Sequence, residues 1–257
     1  MSHLPSAREL LTSDRPLVIA HRGNSSVAPE NTLPAFHAAV ELGVDMVELD
    51  YAHSADGMPI VFHDLTLDRL TNAREVWPKA ERRIPLSSKT CSELLSLDAG
   101  SWFSPDFVGT RLFTLAEILG EVSLKTCVAI ERKSGDPATL LATLTHSQTM
   151  SRVVVMAFDW YFLAELHAHA PELPLVALGK GKLTEDCIAD AIAVGASAIG
   201  WDNHTLDLAD IARVHKHGLK LWCWTVDEPA RAGDLLQSRI DGLISNVPAV
   251  MLAARAG

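Results

Sequence analysis

Residues 45–50 read DMVELD, a short apolar segment that ends in two carboxylates. Segments of this kind recur along the chain, and stretches with helical periodicity separate them. The predicted strands begin near Leu17, Asp45, Thr126, Arg152, Leu173, Ala196, Leu219 and Asp241. Strands that are apolar throughout are typical of a parallel sheet buried on both faces. Eight of them in a chain of 257 residues predict an α/β protein with a TIM-type (β/α)8 barrel.

The stretches between these strands support the same architecture. Amphipathic helical character occurs in residues 31–42, 138–148, 160–170, 185–194 and 206–217. Most intervals between successive strands are roughly 20–30 residues long, the length of one βα unit. The exception follows the second strand, where about 80 residues contain a hairpin near Asp56 and Gly57 and a helix near residues 88–97. We therefore expect one barrel domain over residues 1–257, with a small insertion after the second strand at about residues 51–110.

The composition narrows the classes of function. Hydrophobic residues make up 48% of the chain and charged residues 21%, which excludes an intrinsically disordered protein. The formal net charge is −10, so general attraction to nucleic acid or to an anionic membrane surface is not expected. An anionic substrate would have to be held by a local group of positive charges.

Two further features concern the cellular compartment. Residues 1–16 lack the basic segment and apolar stretch of a signal peptide, and no apolar run approaches the length of a membrane span. The four cysteines form no CxxC pair, and we expect Cys127 and Cys223, inside apolar strand segments, to be buried thiols. These features favour a soluble, cytoplasmic protein.

Glu48 and Asp50 end the second predicted strand. Residues two apart on a strand point to the same face, so these carboxylates converge at the end of the barrel where active sites lie. The simpler alternative is a pair of solvated loop acids. Because the preceding residues are apolar and the strand is interior, two unpaired anions would be costly without a cation, which favours a metal site.

Glu131 and Lys133 repeat this spacing at the end of the third predicted strand, in VAIERK. An ion pair across the barrel mouth is the structural alternative. In the functional interpretation, Glu131 is a third metal ligand and Lys133 contacts a phosphate. Three carboxylates are hard oxygen donors, which suit one divalent ion such as Mg²⁺ or Ca²⁺ and not zinc.

Histidines follow two of the predicted strands. His21 ends the first strand, beside Arg22 and Gly23, and His63 follows PIVF, the second arm of the predicted hairpin. A histidine at a strand end can act as a general acid or base, and an adjacent arginine can bind a phosphate. Each histidine taken alone is more often structural. Trp224, at the end of the seventh strand, either packs at the rim or offers an apolar wall to a substrate.

Six motifs then occur in order along the chain. They are HRG at residue 21, APENT at 28, ELD at 48, DGMPIVFHD at 56 with LDRLT after it, ERK at 131 and WTVD at 224. In sequence and order they resemble the glycerophosphodiester phosphodiesterase family, and the resemblance runs from about Val18 to Pro248. It implies a TIM barrel with a small insertion, and hydrolysis of a glycerophosphodiester to an alcohol and glycerol 3-phosphate.

The resemblance also implies roles for individual residues. The acid/base pair would be formed by His21 and His63. One divalent metal ion would be held by Glu48, Asp50 and Glu131. The phosphate would be contacted by Arg22 and Lys133.

Some positions are less determined by the resemblance. Glu30 would cap the first helix, orient Arg22 or take part directly in catalysis. Phe113, Ala157 and Asn246 stand where the family typically has proline, serine and aspartate. None of these three is an expected metal ligand or catalytic histidine, so the expected reaction class is unchanged.

A bound complex of this kind would be close to neutral, since the carboxylates and a phosphodiester anion face a divalent ion, Arg22 and Lys133.

Two other functions are compatible with these residues: hydrolysis of lysophospholipids in lysophospholipase-D fashion, and non-catalytic phosphodiester binding on a degenerate barrel. The sequence leaves open the preferred alcohol, Mg²⁺ against Ca²⁺, the role of each histidine, water or the glycerol 2-hydroxyl as nucleophile, and the oligomeric state. The expected partner is a small glycerophosphodiester, with no nucleic acid and no stable membrane association.

Overall fold

The computed structural model of the chain describes residues 4–80 and 83–256. Its strands are, in chain order, β1 (Leu17–Ala20), β2 (Met46–His53), β3 (Pro59–Val61), β4 (Cys127–Arg132), β5 (Val153–Ala157), β6 (Leu175–Gly179), β7 (Ala198–Asp202), β8 (Lys220–Trp224) and β9 (Gly242–Ser245). Eight of these are parallel, in the order β1, β9, β8, β7, β6, β5, β4, β2, and pairing of β1 with β2 closes the barrel. The predicted (β/α)8 barrel is confirmed, and each predicted strand begins within two residues of the observed one.

Helices alternate with the barrel strands. They are α1 (Ala7–Leu11), α2 (Leu33–Glu41), α3 (Ala73–Val76), α4 (Cys91–Leu95), α5 (Leu115–Val122), α6 (Pro137–His146), α7 (Trp160–His169), α8 (Glu185–Ala193), α9 (Leu208–Lys216), α10 (Pro229–Gln237) and α11 (Pro248–Ala256). The predicted helical stretches correspond to α2, α4, α6, α7, α8 and α9, whereas the other five were not anticipated. Within residues 4–80 and 83–256, no helix combines the length and apolar character needed to cross a membrane.

Side chains of the strands alternate between the barrel interior and the surrounding helices. Val18, Val47 and Val128 point outward and belong to the hydrophobic cluster between the barrel strands and the surrounding helices. The interior cluster includes Ile19, Met46, Ala129, Trp222 and Ile244. Two residues further along each of these strands, the same face reaches the C-terminal mouth of the barrel. The residues at those positions are His21, Glu48, Glu131, Trp224 and Asn246.

The other end of the barrel is closed by α1. This helix begins at Ala7 because the Ser6 side chain accepts a hydrogen bond from the Glu9 backbone N–H, and the Glu9 carboxylate accepts one from the Ser6 backbone N–H. Its apolar face joins the interior cluster. Cys127 Sγ lies 3.3 Å from the carbonyl oxygen of Pro5 at this end. Cys127 and Cys223 are buried, as predicted.

The segment between β2 and α5 has a hydrophobic core of its own. β3 returns antiparallel to β2 through the predicted hairpin, where Gly57 has a φ of 78° and its N–H donates to the Ser54 carbonyl at 3.0 Å. A left-handed φ of this size favours glycine over residues that carry a Cβ. The core of the segment includes Ile60, Phe62, Leu67, Leu94, Leu97 and Leu112.

Candidate active site

Three carboxylates meet at the C-terminal mouth of the barrel. One ligand oxygen from each of Glu48, Asp50 and Glu131 lies within 4.8 Å of those of the other two. They meet because Asp50 is the register partner of Glu131 across β2 and β4, and Glu48 lies two residues earlier on the same face. These residues are no more than 8% exposed. The structure thus brings together the three residues that the sequence predicts as metal ligands.

The surroundings of these carboxylates move their pKa values apart. Burial, with Asp50 and Glu131 nearby, raises the pKa of Glu48 well above its usual range. Burial and Asp50 raise the pKa of Glu131 to about 7. Burial acts in the same direction on Asp50, but Lys133 and Arg22 outweigh it and lower the pKa of Asp50 to about 2. Without a further cation, the three groups do not all ionise at neutral pH.

This donor set fits a hard divalent cation. Carboxylate oxygens are ligands that Mg²⁺ and Ca²⁺ prefer. Glu48 Oε1 is buried and has no hydrogen-bond partner among the described residues. A buried acceptor is costly unless a donor or a cation reaches it. A divalent charge at this point would also favour the ionised forms of Glu48 and Glu131.

Two cationic side chains border the carboxylates. Lys133 Nζ contacts Glu131 and lies 3.1 Å from Asp50 Oδ1. Arg22 Nε lies 3.1 Å from Asp50 Oδ2, and the Arg22 backbone N–H donates to Glu48 Oε2 at 2.8 Å. Both residues predicted to contact phosphate therefore lie at the carboxylate cluster, where each is paired with Asp50.

Asn31 holds Asp50 in place. Its Nδ2 donates to Asp50 Oδ2 at 2.8 Å, and its Oδ1 accepts from the Asp50 backbone N–H at 3.1 Å. Asn31 has a φ of 58°, a conformation that asparagine adopts more readily than most residues. This two-way contact leaves Asp50 Oδ1 to face Lys133.

His21 directs one ring nitrogen away from the carboxylates. Its Nδ1 lies 2.7 Å from Asn246 Oδ1, and its Nε2 has no hydrogen-bond partner among the described residues. Burial, and to a lesser degree the neighbouring Arg22, lower the pKa of His21 to about 4. The ring is therefore neutral at pH 7, with one nitrogen free to take a proton.

His63 enters the site from the other side of β2. The Phe62 N–H donates to the Asp50 carbonyl at 3.0 Å, which continues the β2–β3 pairing and places His63 beside Asp50. His63 Nδ1 lies 2.7 Å from Asp64 Oδ1. Burial lowers the pKa of His63, although Asp50 and Asp64 oppose this shift. The two predicted acid/base residues thus border the carboxylate cluster with different partners on Nδ1.

Trp224 forms part of a small cavity at the site. His21, Glu48, Glu131 and Trp224 line this space of about 20 Å³, which has room for about one water molecule or ion. The Phe158 ring meets Trp224 edge-on, with the ring centroids 5.5 Å apart. A larger cavity of about 540 Å³ lies at the opposite end of the barrel, beside α1, and no carboxylate lines it. The smaller cavity is thus the one that residues of the predicted site line.

Comparison with known proteins places this arrangement in a family. The model of the glycerophosphoryl diester phosphodiesterase family matches residues 21–250. The chain belongs to this family.

Individual members of the phosphodiesterase family agree with the match. A glycerophosphodiester phosphodiesterase of Bacillus subtilis (strain 168) is 31% identical over 265 residues, covering 95% of this chain and 87% of the relative. A second, from Caldanaerobacter subterraneus subsp. tengcongensis, is 32% identical over 243 residues, covering 92% and 96%. A solved phosphodiesterase structure from Oleispira antarctica shares the fold, with a TM-score of 0.87, 24% identity, and 96% and 99% coverage. The expected enzyme family and barrel fold are confirmed.

Glu30, the undetermined residue of the APENT motif, connects two arginines. Its carboxylate accepts from Arg22 at 2.7 Å and from Arg69 at 3.0 and 3.1 Å. The N-cap of α2 is Thr32, so Glu30 does not cap this helix. Of the roles considered from the sequence, the contacts favour orientation of Arg22.

Several residues at this phosphodiesterase site received no role from the sequence. They are Ser25, Asn31, Asp64, Arg69 and Asp227, while Asn246 stood out only as a departure from the family pattern. Two of them had a local signal: Asn31 directly follows Glu30 in APENT, and Asp64 directly follows His63. Of the others, Ser25 lies four positions from His21, to whose carbonyl its Oγ donates at 3.0 Å, and Arg69 and Asp227 stand in the LDRLT and WTVD motifs.

Proposed function

We propose that this chain hydrolyses glycerophosphodiesters to an alcohol and glycerol 3-phosphate, using one divalent cation and the side chains of His21 and His63. One observation carries the proposal. Three buried carboxylates lie within 4.8 Å of one another, and the two histidines that border them each keep Nε2 free of partners among the described residues. The related Oleispira antarctica phosphodiesterase was solved in complex with the product sn-glycerol 3-phosphate, which supports this substrate class.

Glu48, Asp50 and Glu131 would hold the cation, and Mg²⁺ or Ca²⁺ suits their oxygen donors. When bound, such an ion polarises phosphoryl oxygens and stabilises the charge that develops on them. Arg22 and Lys133 supply the positive charge for the substrate phosphate, because both lie at the cluster and an acidic chain needs a local positive site. The bound assembly would be close to neutral, which limits the cost of burying it.

The partners of the two histidines favour different roles. Asp64 is a carboxylate, so it stabilises a protonated His63 by its charge as well as by a hydrogen bond, whereas the neutral Asn246 offers His21 a hydrogen bond alone. We therefore assign His21 as the group that takes a proton from the nucleophile and His63 as the group that protonates the leaving alkoxide. The nucleophile is water or the glycerol 2-hydroxyl; attack by the latter forms a cyclic phosphate first.

Trp224 would contact the carbon skeleton of the substrate, because its ring lines the cavity beside His21 and Glu48.

A second candidate function, hydrolysis of lysophospholipids, is favoured by aromatic residues at the same end of the barrel. Phe158, directly after β5, is 46% exposed, and Tyr161, in the first turn of α7, is 91% exposed. These rings could contact an acyl chain.

Release of glycerol 3-phosphate from glycerophosphocholine, glycerophosphoethanolamine and glycerophosphoglycerol tests the proposal. Each diester is assayed with Mg²⁺, with Ca²⁺ and with EDTA, and lysophosphatidylcholine is added as a further substrate. We expect release from the deacylated diesters that EDTA abolishes. Release of choline and lysophosphatidic acid from lysophosphatidylcholine, with no activity on the deacylated diesters, would replace the proposal by the second candidate, and binding without turnover would make the chain a non-catalytic barrel. Phosphorus NMR during turnover shows whether a cyclic phosphate accumulates.

A further inference from the structure

We propose that Asp227 and Asn246 are positioning residues that fix the tautomer of His21, so that its unprotonated Nε2 faces the reaction site. The inference rests on the proposed role of His21 in proton transfer. Neither Asp227 nor Asn246 contacts the carboxylate cluster; both act through the ring of His21. Together the three side chains form a relay from the loop after β8 to the mouth of the barrel.

The backbone brings this relay together from three distant segments. His21 directly follows β1 and Asn246 directly follows β9, and the last residues of these strands, Ala20 and Ser245, are register partners. The His21 N–H donates to the Ser245 carbonyl at 2.9 Å. Asp227 lies in the loop between β8 and α10. Its position depends on closure of the barrel, since β9 pairs with both β8 and β1.

Asp227 decides which way the Asn246 amide points. Its Oδ1 accepts from the Asn246 backbone N–H at 2.8 Å and from Ser245 Oγ at 3.1 Å, and its Oδ2 accepts from Asn246 Nδ2 at 2.7 Å. An ionised carboxylate only accepts hydrogen bonds, so Nδ2, the donor end of the amide, must face Asp227. The Oδ1 of Asn246 is therefore turned toward His21.

The orientation of Asn246 in turn decides where the His21 proton sits. Asn246 Oδ1 lies 2.7 Å from His21 Nδ1 and 3.1 Å from Ser25 Oγ. A carbonyl oxygen cannot donate, so Nδ1 must carry the proton. In a neutral imidazole the other nitrogen is then an acceptor, and Nε2 presents its lone pair to the site. Because the Asn246 amide is neutral, it orients the His21 ring without adding a fourth negative charge beside the three clustered carboxylates.

Asp227→Asn tests the relay because asparagine has the shape of aspartate but replaces one carboxylate oxygen, an acceptor, by an NH2 group, a donor. With Oδ1 still accepting from the Asn246 backbone and Ser245, the new amide donor would face Asn246 Nδ2. Two donors repel, so we expect the Asn246 amide to turn over and offer Nδ2 to His21. The ring must then accept at Nδ1 and carry its proton on Nε2. The nitrogen-15 shifts of His21 report this exchange directly in the metal-free protein at neutral pH, and loss of signals in His21→Gln assigns them.

The activity of the metal-loaded variant gives a second readout. With the proton on the wrong nitrogen, kcat is expected to fall about 10²-fold or more while KM changes little. Asp202→Asn is the matched control, since it removes the same charge at the end of β7, where Asp202 contacts Thr205 and not the relay. This control should keep both the His21 tautomer and kcat of the unaltered protein.

Exchanging the residues at positions 227 and 246 distinguishes loss of the relay from a general structural defect caused by the Asp227→Asn substitution. In Asp227→Asn/Asn246→Asp, the amide at position 227 donates to the carboxylate at position 246, which again accepts from His21 Nδ1. The net charge equals that of the unaltered chain, and we expect the Nδ1-protonated ring and kcat within about tenfold of normal to return.

Two results would overturn the relay: a ring protonated on Nε2 in the unaltered protein, or a ring in Asp227→Asn that stays protonated on Nδ1. Failure of the swap to restore the tautomer, in protein with a normal thermal unfolding transition, would also reject it. Failure of the proposed function looks different, because His21→Gln would then turn over normally whatever tautomer the NMR shifts show.

Discussion

Arg69 and Asp64 form a bidentate ion pair, with Arg69 Nε 2.8 Å from Asp64 Oδ2 and Arg69 Nη2 2.8 Å from Asp64 Oδ1. Asp64 Oδ1 is also the partner of His63 Nδ1. The guanidinium reaches further, to the carboxylate of Glu30, which holds Arg22. Arg69 therefore connects the histidine on the β3 side of the site to the arginine on the β1 side, although it contacts none of the three clustered carboxylates.

We expect Arg69→Gln to lower kcat about tenfold, because Asp64 would no longer be held at the angle that His63 requires. Arg74→Gln is the matched control, since Arg74 pairs with Asp68 in the same segment and is similarly exposed, 45% against 49% for Arg69. Steady-state kinetics on one diester measure both variants. Equal kcat values for the two variants would show that Arg69 has no special role in orienting His63.

His63→Ala and His21→Ala should each lower kcat about 10²-fold or more on glycerophosphocholine. The two variants should differ on a glycerophosphodiester of p-nitrophenol, whose leaving group departs without being protonated. If His63 protonates the leaving alkoxide, this substrate restores much of the activity of His63→Ala and little of that of His21→Ala. The reverse pattern would exchange the two roles, and equal restoration would contradict the assignment of an acid and a base.

The barrel and the convergence of the carboxylates could be predicted from the sequence because both depend on local spacing. Each strand is an apolar run of suitable length, and the spacing of two residues places Glu48 with Asp50 on one face. Two missed helices have identifiable reasons. α5 begins with a capping box, with Thr114 as N-cap and Glu117 at the third helical position, but it directly follows the irregular insertion, where the strand and helix alternation is interrupted. α10 contains Gly233 in its interior, which weakens the helical pattern.

The partners of the two histidines could not be predicted in the same way. Asn246 is 225 positions from His21 in the chain, and only closure of β9 onto β1 makes them neighbours. Arg69 is 39 positions from Glu30, within a segment whose path the sequence did not determine. Side-chain contacts of this range depend on tertiary packing, so a single sequence identifies the reacting groups more readily than the groups that orient them.

Trp224→Leu should raise KM about tenfold and leave kcat within a few-fold of normal, because it removes an aromatic wall that contacts bound substrate and transition state alike. The Phe158 ring, which meets Trp224 edge-on, would lose its partner at the same time. KM and kcat for glycerophosphocholine and glycerophosphoglycerol measure the effect. A fall in kcat at unchanged KM would instead place Trp224 in the reaction step and not in ground-state binding.

The raised pKa of Glu131 predicts how the metal-free protein responds to pH. Its pKa of about 7 in the folded chain lies above the usual 4.5, so the folded state keeps a proton that the unfolded state has lost. Stability contributed by this group is complete below about pH 4.5 and is lost as the pH rises toward about 7. Glu48, whose pKa is also raised, acts in the same direction.

Urea unfolding in EDTA between about pH 5 and pH 7.5 should therefore show the free energy of unfolding falling more steeply in the unaltered protein than in Glu131→Gln. One proton limits the difference in slope to at most about 1.4 kcal/mol per pH unit. Glu165→Gln, the same change at an exposed position of α7, should keep the unaltered slope. Adding Mg²⁺ near pH 7.5 should stabilise the unaltered protein and the Glu165 variant more than Glu131→Gln, since a bound cation replaces the lost proton. Identical slopes in all three proteins, with no effect of Mg²⁺ or Ca²⁺, would contradict both the raised pKa of Glu131 and the proposed role of the carboxylate cluster as a metal site.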